Sequence, residues 1–169
     1  DLGPGVSILD PNVGRIFIMK LTTSGDFIWA KNFGGLVETN TSFSLATDSI
    51  NNIYVAGSFE DTIDVDPGIG VYNIIGSSNQ TPFIASYDSS GNFIWAKVLD
   101  PSVLSTSLIL SMDKQENIIL TGKFGGTVDF DLDSGISNLT SSSGEIVFIS
   151  KYSKTGNFIW AKKSGGIQS

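Results

Sequence analysis

Two pairs of aspartates are the residues of this sequence whose type and spacing best suit a chemical role. Asp64 and Asp66 form one pair, Asp131 and Asp133 form the other, and a glycine follows each pair two residues later. Alternate side chains of a β-strand point to the same face, so each pair would place two carboxylates side by side. Because oxygen ligands beside a glycine turn suit calcium, these four aspartates are candidate calcium ligands.

A solvated strand face that ends in a turn-initiating aspartate is the alternative explanation of these pairs. Calcium takes about six to eight oxygen ligands, and two carboxylates fall short of that number. Two carboxylates can also act as the acid and base of a glycosidase, but these must flank a scissile bond from opposite sides. Neighbouring side chains on one exposed strand fit that geometry poorly. Calcium is the one cofactor that the sequence suggests.

The composition removes most of the usual catalytic groups. The 169 residues contain no histidine and no cysteine, so the commonest general base and the thiol nucleophile are both missing. The formal net charge is −7, and Arg15 is the single arginine. A nucleic-acid partner would need a basic face, and no apolar run reaches the length of a membrane span. We therefore expect a non-enzymatic protein without membrane insertion. Its expected partners are proteins, further copies of a sequence repeat that this chain contains, or glycans.

One pentapeptide, Phe-Ile-Trp-Ala-Lys, occurs three times at spacings of 66 and 65 residues and contains every tryptophan of the chain. Aromatic faces can stack on sugars, but equal spacing within a repeat favours packing between neighbouring repeats. The predicted core of the repeat consists of the tryptophans and the phenylalanines two residues before them: Phe27, Trp29, Phe93, Trp95, Phe158 and Trp160.

Each pentapeptide follows a Phe-Ile strand and a turn that ends in Ser-Gly-Asp, Ser-Gly-Asn or Thr-Gly-Asn. Glycine there supplies the positive φ of a tight hairpin with a bulge, so the tryptophan lies on the second strand of a β-hairpin. That strand is apolar on both faces, which predicts burial on both sides between stacked sheets. Two further strands and a short alternating acidic strand follow, and no segment has the periodicity of a helix.

These elements predict an all-β fold of β-propeller blades, with about 65 residues per repeat. Each blade would have four core antiparallel strands and a short extra hairpin, and the chain would form an incomplete propeller or a fragment. A β-solenoid is the alternative architecture. The predicted units are the tail of a preceding repeat at 1–13, repeat 1 at 14–80, repeat 2 at 81–145, and the first hairpin of repeat 3 at 146–169.

The hairpin pattern, followed by Gly-Gly and later by Asp-x-Asp-Pro-Gly, resembles the bacterial SBBP-type β-propeller repeat. The match is closest at 83–97 and 148–162, whereas Leu21 and Asp26 depart from it in the first copy. The resemblance implies a scaffold without shared catalytic residues, in secreted or cell-surface proteins of Bacteroidota exported by the type IX route. An extracellular or cell-surface location and a role in adhesion or protein assembly are therefore expected.

Two triplets also look like the O-glycosylation sites of secreted Bacteroidota proteins. They are centred on Ser49 and Thr62, and both lie in predicted turns. The functional expectation is a non-enzymatic module that presents loops from a rigid body. The alternative function is a carbohydrate- or calcium-dependent binding domain with its ligands on the Asp-x-Asp turns.

Overall fold

The computed structural model describes Leu9 and residues 16–34, 43–77, 80–142 and 144–164. Every regular element in these ranges is a β-strand. In this part of the chain, no helix has the length and apolarity needed to cross a membrane. The strands are β1 (Ile16–Leu21), β2 (Phe27–Phe33), β3 (Ser44–Thr47), β4 (Ile53–Phe59), β5 (Thr62–Asp64), β6 (Asn73–Ile75), β7 (Thr81–Tyr87), β8 (Phe93–Val98), β9 (Val103–Met112), β10 (Ile118–Phe124), β11 (Thr127–Asp129), β12 (Asn138–Thr140), β13 (Ile146–Tyr152) and β14 (Phe158–Lys163).

The strands form two four-stranded antiparallel sheets and three two-stranded hairpins. The first blade has the strand order β3-β4-β7-β8, and the second blade has the order β9-β10-β13-β14. Strands β1 and β2 pair as the N-terminal hairpin, while β5-β6 and β11-β12 are short hairpins inserted within the two blades. This arrangement confirms the predicted all-β fold, with four core strands per propeller-like blade and an extra hairpin.

The blades are offset from the predicted repeats by half a unit. The first blade takes β3 and β4 from residues 14–80 and β7 and β8 from residues 81–145. A repeat has the same period wherever counting begins, so the limits at 80/81 and 145/146 stay predictions about sequence period. Apart from Leu9, the predicted tail at 1–13 lies outside the described residues.

Each core hairpin turns through five residues in the same way. Asp88 shows the pattern, because its carboxylate accepts hydrogen bonds from the backbone N–H groups of Ser90 and Asn92 at 2.8 and 2.9 Å. Gly91, the fourth residue of this turn, has a φ of +74°. The register shifts beside it, between Ser86 and Tyr87. The predicted glycine bulge is therefore present. Among the described residues, five such turns have a residue with positive φ at the fourth position: Gly25, Asn51, Gly91, Glu116 and Gly156.

Two apolar cores lie on the two faces of the first blade. One core joins Phe33 of the N-terminal hairpin to Phe83 and Tyr87 of the first blade. The other core joins Ile84 of the first blade to Phe148 of the second blade. Every residue of β4 and β7 is buried as a result.

The tryptophan-bearing strands are not buried on both sides, so that part of the prediction was wrong. Ile28, Ile94 and Ile159 are all exposed. The tryptophan strand is the outermost strand of its sheet in each copy. Each of these strands has a neighbouring strand on one side only, and its isoleucine side chain lies in solvent.

Candidate interaction site

The first acidic pair stabilises the loop between β5 and β6. Oδ1 of Asp64 accepts hydrogen bonds from the N–H groups of Asp66 and Tyr72, at 3.0 and 2.8 Å. Oδ1 of Asp66 accepts one from the N–H group of Gly68 at 2.8 Å. Carboxylates that accept backbone N–H bonds hold a turn in one conformation. The pair therefore fixes the loop that connects the two strands.

The second loop has the same bonds, made by a residue that the sequence did not single out. Oδ1 of Asp129 accepts from the N–H groups of Asp131 and Ser137, at 3.0 and 2.8 Å. Asp129 and Asp131 are thus the structural counterparts of Asp64 and Asp66. The signal for this alignment was the Thr-x-Asp triplet that forms both β5 and β11.

Asp133 has a different role, because it forms an ion pair with Lys97 of the first blade at 2.6 Å. This contact joins the inserted loop of the second blade to the edge of the first. Among the described residues no three acidic, histidine or cysteine side chains are grouped as metal ligands. The calcium site at the aspartate pairs stays a prediction.

Buried tyrosines connect both loops to the blades. The hydroxyl of Tyr87 donates to the carbonyl oxygen of Val65 at 3.0 Å, and that of Tyr152 donates to the carbonyl oxygen of Phe130 at 3.1 Å. Burial raises the pKa of both phenols, so each remains a protonated donor. The base of each loop is therefore fixed to the rigid core.

The first loop exposes apolar side chains at its end. Ile69 and Val71 are both largely exposed, Val71 at 71%. We call these two residues the apolar tip. The neighbouring Tyr72 packs on Phe93 with ring centroids 4.6 Å apart, which anchors the loop to the edge of the first blade. The sequence signal that was overlooked is the alternation of isoleucine, glycine and valine directly after the Pro-Gly turn.

The tryptophans and lysines of the pentapeptide connect neighbouring sheets. Cη2 of Trp29 would lie 2.8 Å from a Cβ atom at Gly91, the glycine of the next hairpin turn. Nζ of Lys31 donates to the carbonyl oxygen of Gly91 at 3.1 Å and to Oδ1 of Asn92 at 3.0 Å. We call Trp29 and Lys31 the first clasp.

The second clasp consists of Trp95 and Lys97 and repeats this contact one blade later. Trp95 lies against Gly156, and its Nε1–H donates to the carbonyl oxygen of Lys154 at 3.3 Å. Nζ of Lys97 donates to the carbonyl oxygen of Gly156 at 3.0 Å. Both rings are partly buried, and their role as the core of the repeat stays a prediction.

The remaining predicted core residues are also partly buried. Phe93 packs against the core beside the N-terminal hairpin, and Phe158 against the core between the two blades. Phe27 and Trp160 are likewise partly exposed. Trp29, Phe93, Trp95 and Phe158 therefore lie at the edge of the cores, on strands that are the outermost ones of their sheets.

The two predicted glycosylation residues are both exposed, but only one lies in a turn. Ser49 occupies the turn between β3 and β4, and its N–H donates to Oε1 of Glu116 at 2.9 Å. Thr62 is the first residue of β5, so its predicted place in a turn was wrong. The preceding Asp61 completes the turn with a φ of +58°. The modification itself stays a prediction.

Comparison with known proteins finds a distant relative. An uncharacterized WD repeat-containing protein of Acanthamoeba polyphaga mimivirus is 29% identical over 163 aligned residues. The alignment covers 83% of this chain but 12% of the relative, so the chain spans a small part of that protein. No family model matches the sequence. Since WD repeats form β-propeller blades, the similarity agrees with the blade architecture described above.

Proposed function

We propose that this chain is a non-enzymatic interaction scaffold whose stacked blades present loops to a protein partner. The observation that carries the proposal is the apolar tip, two exposed apolar residues on a loop whose backbone Asp64 and Asp66 fix. Exposed apolar groups on a rigid support are typical of protein-binding surfaces. The similarity to a WD repeat-containing protein supports a propeller-type scaffold.

The fixed loop favours binding for a thermodynamic reason. Ordering a flexible loop on binding costs conformational entropy, and that cost lowers affinity. Here Asp64 and Tyr87 already hold the loop at its base, while Tyr72 packs on Phe93. A partner would therefore meet the apolar tip in an ordered conformation.

We further propose that the chain belongs to a secreted or cell-surface protein of the SBBP repeat type, from a Bacteroidota bacterium that exports it by the type IX route. The support is the resemblance of residues 83–97 and 148–162 to that repeat. Limited proteolysis of intact cells of the source organism tests the location. Digestion of the protein while cytosolic markers survive supports it, and full protection contradicts it.

Comparative affinity capture tests the scaffold function. The chain and its Ile69→Ser/Val71→Ser variant are immobilised and exposed to proteins of the source organism. Ile28→Ser, which changes an exposed isoleucine of the N-terminal hairpin, is the matched control. A protein that binds the parent chain and the control but not the tip variant supports the proposal. Equal capture by all three chains contradicts it.

A second experiment, with a variant of Asp64, separates the scaffold from the alternative function. A glycan array probed with and without calcium would show binding that depends on Asp64 and Asp66 if the chain were a carbohydrate- or calcium-dependent domain. Asp64→Asn keeps the size of the side chain and removes its charge. Glycan binding that this variant loses, together with no protein capture, would favour the alternative.

A further inference from the structure

The loops that follow β5 and β11 have equivalent backbone hydrogen bonds and can be compared residue by residue. Asp64 and Asp129 each accept a hydrogen bond from a backbone N–H eight residues later, in Tyr72 and Ser137. We call the loop after β5 the first loop and the loop after β11 the second loop. Counting inward from these bonds pairs Ile69 with Ser134, Val71 with Ile136, and Gly68 with Asp133.

Each loop lies between two described sheets. The first loop contacts the N-terminal hairpin, since the N–H of Gly34 donates to the carbonyl oxygen of Asp64 at 2.7 Å, and Tyr87 holds it to the first blade. The second loop contacts the first blade through Lys97 and the second blade through Tyr152. The side chains at both loop tips are therefore exposed even though both neighbouring sheets are in place.

The first loop has more apolar surface at its tip than the second. Ile69 is fully exposed and Val71 is 71% exposed, whereas the counterpart of Ile69 is the polar Ser134. A fixed backbone holds these apolar side chains in water, where contact with another apolar surface is favourable. The apolar tip is therefore a surface that a bound molecule would cover.

The two loops also differ in their ionic contacts. In the second loop, Asp133 forms an ion pair with Lys97 at 2.6 Å. In the first loop, Gly68 takes the place of Asp133. The lysine equivalent to Lys97 is Lys31, which donates to the carbonyl oxygen of Gly91. Since glycine has no carboxylate, this ion pair has no equivalent in the first loop.

The distribution of charge along the sequence agrees with this difference. Residues 32–96 contain seven acidic residues and no lysine or arginine, so this stretch alone carries a formal charge of −7. The remaining ten acidic residues are balanced by all ten basic ones. The net negative charge is thus concentrated in the part of the sequence that forms the first loop and most of the first blade.

Asp66 places one of these charges beside the apolar tip. Its Oδ1 accepts a hydrogen bond from the N–H of Gly68 at 2.8 Å. Its Oδ2 lies beside Gly70, 2.3 Å from the place a Cβ atom would take, so a side chain there would displace that oxygen. Gly70 is exposed and lies between Ile69 and Val71. A cation bound to this carboxylate would therefore lie next to the apolar side chains.

We propose that the apolar tip binds a protein segment in which lysine or arginine side chains flank apolar ones. The apolar side chains of that segment cover Ile69 and Val71, and one of its cations donates to the carboxylate of Asp66. Complementary charge favours this occupant, because a region with no basic residue repels acidic proteins, nucleic acids and anionic membranes. The inference rests on the scaffold function proposed above and states the chemistry of its partner.

A peptide array tests the inference. Its peptides contain pairs of apolar residues flanked by lysine or arginine, by glutamine, or by glutamate. The parent chain, carrying a fluorescent label, should bind the basic peptides about fivefold more strongly than the glutamine peptides and should not retain the glutamate peptides. Higher salt should weaken binding to the basic peptides, because it screens the contact with the carboxylate.

Variants of the two loops locate the binding. Asp66→Asn removes the charge and keeps an oxygen that can accept from Gly68, and it should weaken binding to basic peptides by about threefold. Ile69→Ser/Val71→Ser should weaken it by about fivefold or more. Asp131→Asn is the matched control, since it makes the same change at the equivalent position of the second loop. It should bind like the parent chain.

Three results would overturn the inference: a parent chain that binds no peptide, equal binding of basic and glutamate peptides, or equal binding by Asp66→Asn and Asp131→Asn. Binding to vesicles of a neutral phospholipid that depends on the apolar tip, without binding to peptides, would identify a membrane as the occupant and also overturn it. Circular dichroism confirms that each variant is folded. Ile136→Ser gives a second control, at an exposed apolar residue of the second loop.

This result is separable from the scaffold function itself. If affinity capture yields a partner that depends on Ile69 and Val71 while the array shows no preference for basic peptides, the scaffold function holds and only the charge of its partner is wrong. If the tip variant binds basic peptides like the parent chain and capture yields no partner that depends on the tip, both proposals fail.

Discussion

Trp95 lies against Gly156, with Cη2 and Cζ3 of the indole 3.1 Å from the place a Cβ would take. The indole of one blade thus occupies space that is open because glycine has no side chain in the turn of the next blade. The same contact joins Trp29 to Gly91. These glycines serve two purposes, since each also has the positive φ that the turn requires.

Alanine substitutions at Gly25 and Gly91 should separate the two purposes, because among the described residues no indole covers Gly25. Gly25→Ala should destabilise the fold by about 1–2 kcal/mol, because alanine is strained at positive φ. Gly91→Ala should cost about 1–3 kcal/mol more, because its methyl group also meets the Trp29 ring. Urea unfolding at low protein concentration measures both changes. Equal losses in the two variants would contradict the contact.

Two equivalent isoleucines should respond very differently to a charge. Ile84→Asp buries an unpaired carboxylate between the blades and should destabilise the chain by more than about 3 kcal/mol. Ile149→Asp places the same group on an open face and should cost less than about 1 kcal/mol. Thermal unfolding of the two variants provides the comparison, and similar melting temperatures would refute it.

Lys97 should contribute more to stability than Lys162. Its ammonium donates to Gly156 and pairs with Asp133, and its side chain is 17% exposed. Lys97→Met should lower the free energy of unfolding by about 1–2 kcal/mol. Lys162→Met should change it by less than about 0.5 kcal/mol in the monomer. Denaturant titration measures both, and a larger loss from Lys162→Met would count against the assignment.

Asp113 should make the fold sensitive to acid. Its hydrogen bonds with the Lys151 ammonium and the backbone N–H of Asn117 hold the pKa of its carboxyl well below its ordinary value of 3.8. The ionised form is therefore favoured in the folded state. The resulting stability is present above about pH 4 and is lost as the pH falls further. Asp113→Asn should flatten the decline in stability below pH 4, which urea unfolding at several pH values would show. An unchanged slope would exclude this role.

Buried tyrosines should make the fold sensitive to base. Burial, aided by the nearby Asp48 carboxylate, raises the pKa of Tyr54 to about 12 from an ordinary value of 10.0. Burial also raises the pKa of Tyr87 and Tyr152. A raised pKa favours the neutral phenol, so this stability is complete below pH 10 and is lost as the pH rises towards 12 and beyond.

Tyr152→Phe tests this effect at one position. The variant should lose about 1 kcal/mol at neutral pH, because it no longer donates to the Phe130 carbonyl oxygen. Its stability should then decline less steeply above pH 10 than that of the parent chain. Melting temperatures at pH 7 and pH 11 measure the difference, and parallel declines would contradict a raised pKa of Tyr152 in the folded state.

Local patterns predicted most strands and turns of this fold. Strong apolar pairs such as Phe83-Ile84 mark the strands, and the glycine in each hairpin marks the bulge. The turns that end at Asn52 and Asn117 use Asn51 and Glu116 in place of glycine. Both turns have an aspartate four residues before an asparagine. The aspartate carboxylate accepts a hydrogen bond from the backbone N–H of that asparagine.

Pairing between strands was less predictable, because it depends on contacts that are distant in the chain. Burial of β4 and β7 on both faces follows from their central place in the sheet, whereas the tryptophan strand looks equally apolar in the sequence. The structural equivalence of Asp129 and Asp64 likewise depends on which backbone N–H groups donate hydrogen bonds to the two carboxylates. Sequence spacing aligned Asp131 with Asp64 instead.

The placement of the three tryptophans also makes the chain its own optical reporter. Trp29 senses only the contact of the N-terminal hairpin with the first blade, and Trp95 only the contact between the two blades. Trp160 senses whatever approaches the outer side of β14. With two of the three replaced by phenylalanine, the fluorescence of the remaining indole would report the opening of one boundary at a time, without any attached dye.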